Sequence, residues 1–126
     1  MSVKVDLAQL ADSLADFDYA YLATVGDDYR VHTVVVSPGF TDGALEVGEI
    51  GRHTRNNVTS HRDVTLIWPP RAPGGYTLIV DGTGMPADDS LRVIPTRAVL
   101  HRQATAESTS TSASCLHDCV PIEQAK

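Results

Sequence analysis

Six short strand-like runs, turn signals between most of them, and a length suited to one domain predict an all-β-dominated fold. The expected architecture is a closed or partly closed antiparallel sheet with small helices. The runs are Tyr19 to Val25, Tyr29 to Ser37, Ala44 to Gly48, Val64 to Trp68, Tyr76 to Asp81 and Leu91 to Arg102. Short strands broken by Gly, Pro and Asp are the pattern of a β-sandwich or barrel. The chain has 126 residues, and a chain of that size hides about two-thirds of its unfolded surface, so it folds without metal or disulfide staples.

Residues 6 to 16 read as a helix, because Leu7, Leu10, Ala11 and Leu14 recur at helical spacing. Asp6 followed by Gln9 has the form of a capping box. The first two strand runs flank Gly26-Asp27-Asp28 and read as a hairpin closed by Pro38-Gly39. The third run follows Thr41-Asp42-Gly43, the fourth stops at Pro69-Pro70, and the fifth follows the Pro/Gly loop from Arg71 to Gly75. The sixth contains Pro95, which predicts an edge position, a bend or a bulge. Residues 51 to 62 break the pattern: they are polar, with Val58 the clearly apolar exception, and read as a loop feeding a short helix with Thr54 as N-cap. From Gln103 the composition falls to Ala, Thr, Ser, Gln and Glu, which predicts a flexible tail over 103–126. The expected domain is thus 1–102.

Ten basic residues against sixteen acidic ones give a net charge of −6. That balance argues against non-specific nucleic-acid binding and against docking on anionic membranes. No apolar run approaches the ~20 residues that span a bilayer, and no secretory signal is visible, so the expected compartment is the cytoplasm. Both cysteines, Cys115 and Cys119, fall in the tail and cannot staple the body.

The most informative segment is basic. Lysine occurs at positions 4 and 126, so arginine carries the positive charge of the body. Arg52 and Arg55 flank His53 and Thr54 where a strand gives way to a helix. A helix N-terminus offers unpaired N–H groups and partial positive charge, and guanidinium forks beside it suit a phosphate. The alternative is a solvated helix face whose arginines pair with Glu46, Glu49 or Asp63. Arg30 and His32 stand two apart and share a strand face with Val34 and Val36, either as a ligand-facing strip or as an exposed strand end. Trp68 either stacks on a flat ligand or fills the core or an interface. Cys115, His117 and Cys119 are three soft ligands that a second chain would have to complete, and no metal site is expected. There is no Gly-x-Ser-x-Gly element, Walker loop or Gly-x-Gly-x-x-Gly fingerprint. The acidic pairs Asp27-Asp28 and Asp88-Asp89 sit in turn-like contexts.

Tyr21 to Val25, Arg30 to Pro38, Asn57-Val58 to Val64-Thr65-Leu66, and Val80-Asp81-Gly82-Thr83-Gly84 occur in an order that resembles the small pyridoxamine 5′-phosphate oxidase-like proteins of the flavin-binding split barrel. The resemblance covers roughly residues 5 to 102. Thr54 stands where that family often has lysine, and Arg62 where it often has proline. The resemblance implies a six-stranded antiparallel split β-barrel of Greek-key type, paired as a homodimer with FMN in a groove between protomers. It implies an FMN-dependent oxidoreductase acting on an unidentified small molecule. Arg52, His53, Thr54 and Arg55 would hold the phosphate. Arg30, His32 and Val34 would approach the ring and ribityl chain. Asn57 belongs to the same cofactor-binding set, and Trp68 and Tyr76 would close the pocket or face the partner. The alternatives are a deazaflavin or haem in the same fold, or a non-enzymatic metal or thiol module acting through the tail. The C-terminal Trp and Arg with which the family's true oxidases hold substrate have no counterpart, so pyridoxamine oxidation itself is not expected.

Overall fold

β-branched and aromatic runs pair into eight strands, most of which show one face to the interior and one outward. The structure, a computed structural model, describes residues 2–103. The strands are β1 (Ser2–Lys4), β2 (Ala20–Val25), β3 (Val31–Val36), β4 (Gly39–Thr41), β5 (Ala44–Glu49), β6 (Asp63–Trp68), β7 (Thr77–Ala87) and β8 (Ser90–His101). A 3-10 turn, Leu7–Gln9, runs into α1 (Leu10–Leu14), and α2 (Arg52–Ser60) joins β5 to β6. Expectations for the tail beyond Gln103, including Cys115, His117 and Cys119, lie outside the described residues.

All pairings between these strands are antiparallel, in the order β3-β2-β6-β7-β8-β5-β4, with β1 on β8. The order alone forces curvature. β3 and β4 lie at opposite ends of the path, yet Ser37 and Pro38 are all that separate them. In a flat sheet the two would stand about 29 Å apart, while a link of this length reaches about 11 Å. The sheet therefore curls into a half-barrel. Hairpin-linked β6, β7 and β8, with β5 returned beside β8 after the long α2 connection, give the Greek-key element.

The observed strand number differs from the expected six. β1 and β4 have three residues each, too few to show alternation, and are visible only through their partners on β8 and β5. β7 continues to Ala87 instead of ending at Asp81. Its continuation needs glycine. A Cβ on Gly82 would lie 2.6 Å from the Ile94 carbonyl oxygen, and one on Gly84 would lie 2.6 Å from Val58 Cγ1. The Val80-to-Gly84 motif is thus a close-packing device where β8 and α2 cross β7. Pro95 does mark a bulge: Asp81 pairs with Arg97 and Gly82 with Pro95, leaving Thr96 as the extra residue.

The first helix is shorter than expected over 6–16, and Asp6 caps it by accepting from the Ala8 N–H at 3.0 Å. Leu10 enters a core built from Leu22, Leu66, Leu78, Val80, Leu91 and Val93, with Trp68 beside them. The face of α2 carrying Thr54, Asn57 and Val58 is buried against that core. Thr54 is therefore an inward residue of the first turn, and Gly51 is the N-cap instead.

Candidate functional site

The alternation of β3 sends His32, Val34 and Val36 to the half-buried side and Val31, Thr33 and Val35 to the outside. Opposite the half-buried side, β5 ends and the chain turns through Ile50 and Gly51 into α2. These elements enclose a groove of about 280 Å³, lined by His32, Val34, Val36, Glu49, Arg52 and His53, with Val35, Ile50, Gly51 and Thr54 completing it. One wall is aliphatic. The other is the first turn of a helix whose N-cap, Gly51, supplies no side-chain hydrogen bond to the open N–H groups. That end is also the positive end of the helix dipole.

His32 from β3 and His53 from α2 stack across the groove, with ring centroids 4.0 Å apart and planes inclined by 17°. Arg52 and His53 are exposed while lining the same groove. Arg30, Arg71, Arg92 and Arg97 form ion pairs with Asp28, Asp18, Glu46 and Asp81. Among the described residues Arg52 and Arg55 have no such partner, so the expected alternative of a salt-bridged helix face is not what forms. Arg55 Nη2 is the one buried side-chain nitrogen or oxygen without a hydrogen-bond partner among the described residues.

Five of the expected site residues, His32, Val34, Arg52, His53 and Thr54, come together here. The others do not line the groove. Tyr29 takes a left-handed conformation, with φ of 62°, so β3 begins only at Val31. Arg30 consequently leaves the His32 face, pairs with its neighbour Asp28 at 3.8 Å and is 87% exposed. Arg55 lies two residues beyond His53, about 200° round the helix, and is absent from the lining. Asn57 is buried and donates through Nδ2 to Thr24 Oγ1 at 3.1 Å, a bond that holds α2 on β2. Trp68 is 2% exposed and belongs to the core. Tyr76 lies elsewhere, beside Phe17 and Pro70 in a second cavity, with the Arg102 guanidinium 4.7 Å over its ring. Glu49 and Ile50 were not anticipated. The Gly51 turn after them was their available signal, since it folds the end of β5 back against α2.

The outer face of the sheet is the second notable surface. Val31 and Val35 are 66% and 63% exposed on strand β3. The register places Val35, Tyr21, Ile67 and Ile79 in one row, and Thr33, Ala23, Thr65 and Asp81 in the next. Asp81 accepts from Thr65 Oγ1 at 2.8 Å and from Arg97 Nη1 at 3.1 Å. Nearby, the Tyr19 phenol hydrogen-bonds to Tyr21, which raises its pKa above the usual tyrosine range. No group of three or more His, Cys, Asp or Glu suited to a metal occurs among the described residues, and no helix there is long and apolar enough to cross a membrane.

No family model matches the chain. Its sequence is 47% identical over 133 aligned positions to an uncharacterized protein, Mb0449c, of Mycobacterium bovis, covering 93% of this chain and 94% of the relative. The protein MT0457 of Mycobacterium tuberculosis is similar to the same extent. Among solved structures, a proposed pyridoxamine 5′-phosphate oxidase from Listeria innocua superposes with a TM-score of 0.61 at 13% identity, over 75% of this chain and 96% of that one. An FAD-binding protein from Mesorhizobium loti gives 0.63 at 11% identity, over 79% and 96%. An F420 reductase gives 0.56 at 19% identity, over 69% and 94%. The half-barrel is therefore the fold of pyridoxamine 5′-phosphate oxidase-like split-barrel proteins.

Proposed function

The chain belongs to the family of the mycobacterial proteins Mb0449c and MT0457, and on its split-barrel frame we propose that it is an FMN-binding, homodimeric oxidoreductase of the pyridoxamine 5′-phosphate oxidase-like type. The observation that carries this reading is the β3–α2 groove. It sets an uncapped helix start and the Arg52 cation opposite an aliphatic wall.

These residues fit the group. A phosphate needs N–H donors and positive charge, which the α2 start and Arg52 offer. Val34 and Val36 offer apolar surface to the less polar part of the ligand. Bound flavin supplies hydride or single-electron chemistry, and the chain supplies position, charge and access. Thr54 and Asn57 act indirectly, by fixing the helix on the sheet.

The proposed dimer uses β3. One strand carries the groove on its His32 side and an exposed outer face with Val31 and Val35, of which Val35 also borders the groove. Contact of that outer face with a second copy removes the apolar strip from water and brings the subunit seam to the edge of the groove. The substrate is a small molecule admitted at that seam. A deazaflavin is the second reading, favoured by the shared fold with an F420 reductase. Deazaflavin cofactors also carry an anionic phosphate group, so the same groove serves either.

Gel filtration after incubation with FMN tests the reading. The expected result is a yellow dimer retaining one FMN per chain. Retention of F420 with loss of FMN moves the assignment to the deazaflavin. A colourless protein with neither compound retained overturns it.

A further inference from the structure

Among the residues lining the β3–α2 groove, Glu49 is the acidic one. It is the last residue of β5 and shares the lining with Arg52, the first residue of α2. Both are exposed. Among the described residues neither forms an ion pair, with the other or with a third group. Glu46 on the same strand is, in contrast, held by Arg92 at 3.4 Å. The groups behind Glu49 bring no cation to neutralise it. Its partner on β8 is Ser90, and the Ile50 N–H beside it donates to the Asp89 carbonyl at 2.8 Å. The groove thus carries an uncompensated carboxylate next to the cation and the helix start that attract an anion.

Such a carboxylate acts on a ligand in proportion to the ligand's charge. A phosphomonoester carries close to two negative charges above about pH 7, and a phosphodiester carries one. Arg52 and the α2 start attract both esters, while Glu49 repels the dianion twice as strongly as the monoanion. We propose that Glu49 is the specificity residue of the groove, narrowing its preference for dianionic phosphomonoesters over monoanionic phosphodiesters. The inference deepens the reading of the groove as a phosphate site and rests on it. The same repulsion weakens the hold on a small free dianion, so retention depends on what else the ester sets against Val34 and Val36.

NMR titration of the full chain at about pH 8, read at the Gly51 to Thr54 amides, tests this with phenyl phosphate and methyl phenyl phosphate. The two probes share a ring and differ by one charge. E49Q keeps the size of the side chain and removes its charge. The expected result is that E49Q binds the diester about threefold and the monoester about ninefold more tightly than the wild type, because the repulsion doubles with ligand charge. Both gains shrink in about 0.5 M salt. E49D keeps the wild-type ratio. E49A repeats the E49Q result, so a variant that fails to fold leaves the other to decide. E46Q changes the net charge equally, off the lining, and leaves the ratio unchanged. Equal gains for both esters, no gain in E49Q, or the same change in E46Q overturns the role of Glu49. The two readings separate cleanly. The expected ratio in a protein that binds no FMN upholds Glu49 and rejects the flavin. An unchanged ratio in a protein that binds FMN at least tenfold more tightly than riboflavin rejects Glu49 and upholds the flavin. Amides that neither ester moves reject the anion subsite and the inference with it.

Discussion

Asn57 on α2 donates a buried 3.1 Å hydrogen bond to Thr24 Oγ1 on β2, and that bond holds the helix whose first turn forms one wall of the groove. At the far end of the helix, His61 reaches Asp27 in the β2–β3 turn at 3.0 Å. The sheet thus fixes the position of Arg52 and His53 through residues that do not themselves line the groove. Replacing Thr24 with valine keeps the shape and leaves the Asn57 amide without its acceptor, at a cost of about 1–3 kcal/mol. Urea denaturation of T24V and of T24S checks this: T24S retains most of the stability, and equal stability of T24V and the wild type would contradict the role.

Gly84 and Val58 meet where α2 crosses β7, with room for hydrogen alone between them. G84A forces the helix away or the valine off its rotamer and costs about 1–3 kcal/mol. In a V58A background the same substitution costs measurably less, because the colliding methyl is gone. A double-mutant cycle by chemical denaturation measures this, and additive effects would show that the two residues do not press on each other.

Arg52 lines the groove and is the cation proposed to meet a phosphate there. R52A is expected to weaken FMN binding by about 1.5–3 kcal/mol, a loss of a charge-assisted hydrogen bond, and to leave riboflavin nearly unchanged. R30A is expected to change neither, because Arg30 is 87% exposed and paired with Asp28 outside the groove. Calorimetric titration of both ligands into both variants checks the contrast, and equal weakening of the two ligands by R52A rejects the contact.

Val31 and Val35 put apolar side chains on the outer face of β3. Replacing both with glutamate leaves the core untouched and sets like charges across the proposed subunit contact. The expected outcome is a folded monomer by sedimentation and circular dichroism where the wild type is a dimer. A wild-type protein that is monomeric at every concentration measured rejects the contact.

The β-rich fold was legible because the six runs are rich in β-branched and aromatic residues and because Gly, Pro and Asp mark the turns between most of them. β1 and β4 were not, since three residues carry no period and are defined by non-local partners. The groove was legible in part. Arg52, His53 and Thr54 adjoin in sequence, and His32 and Val34 share a strand face, but no local pattern says that β3 and α2 enclose one space. Arg30 was misplaced because two-residue spacing assumes an unbroken strand, and the left-handed Tyr29 breaks it. Trp68 read either as a stacking ring or as a core or interface residue, and Asn57 entered the cofactor set through the resemblance; in the structure Trp68 packs in the core and Asn57 donates to Thr24.

Parallel equilibrium titrations of the full chain with FMN and with riboflavin, followed by quenching of flavin fluorescence, bear on the groove most directly. The account predicts saturable binding of one FMN per chain and an affinity for riboflavin lower by at least about tenfold, the worth of one charge-assisted phosphate contact. Equal affinities, or no binding of FMN, would contradict it.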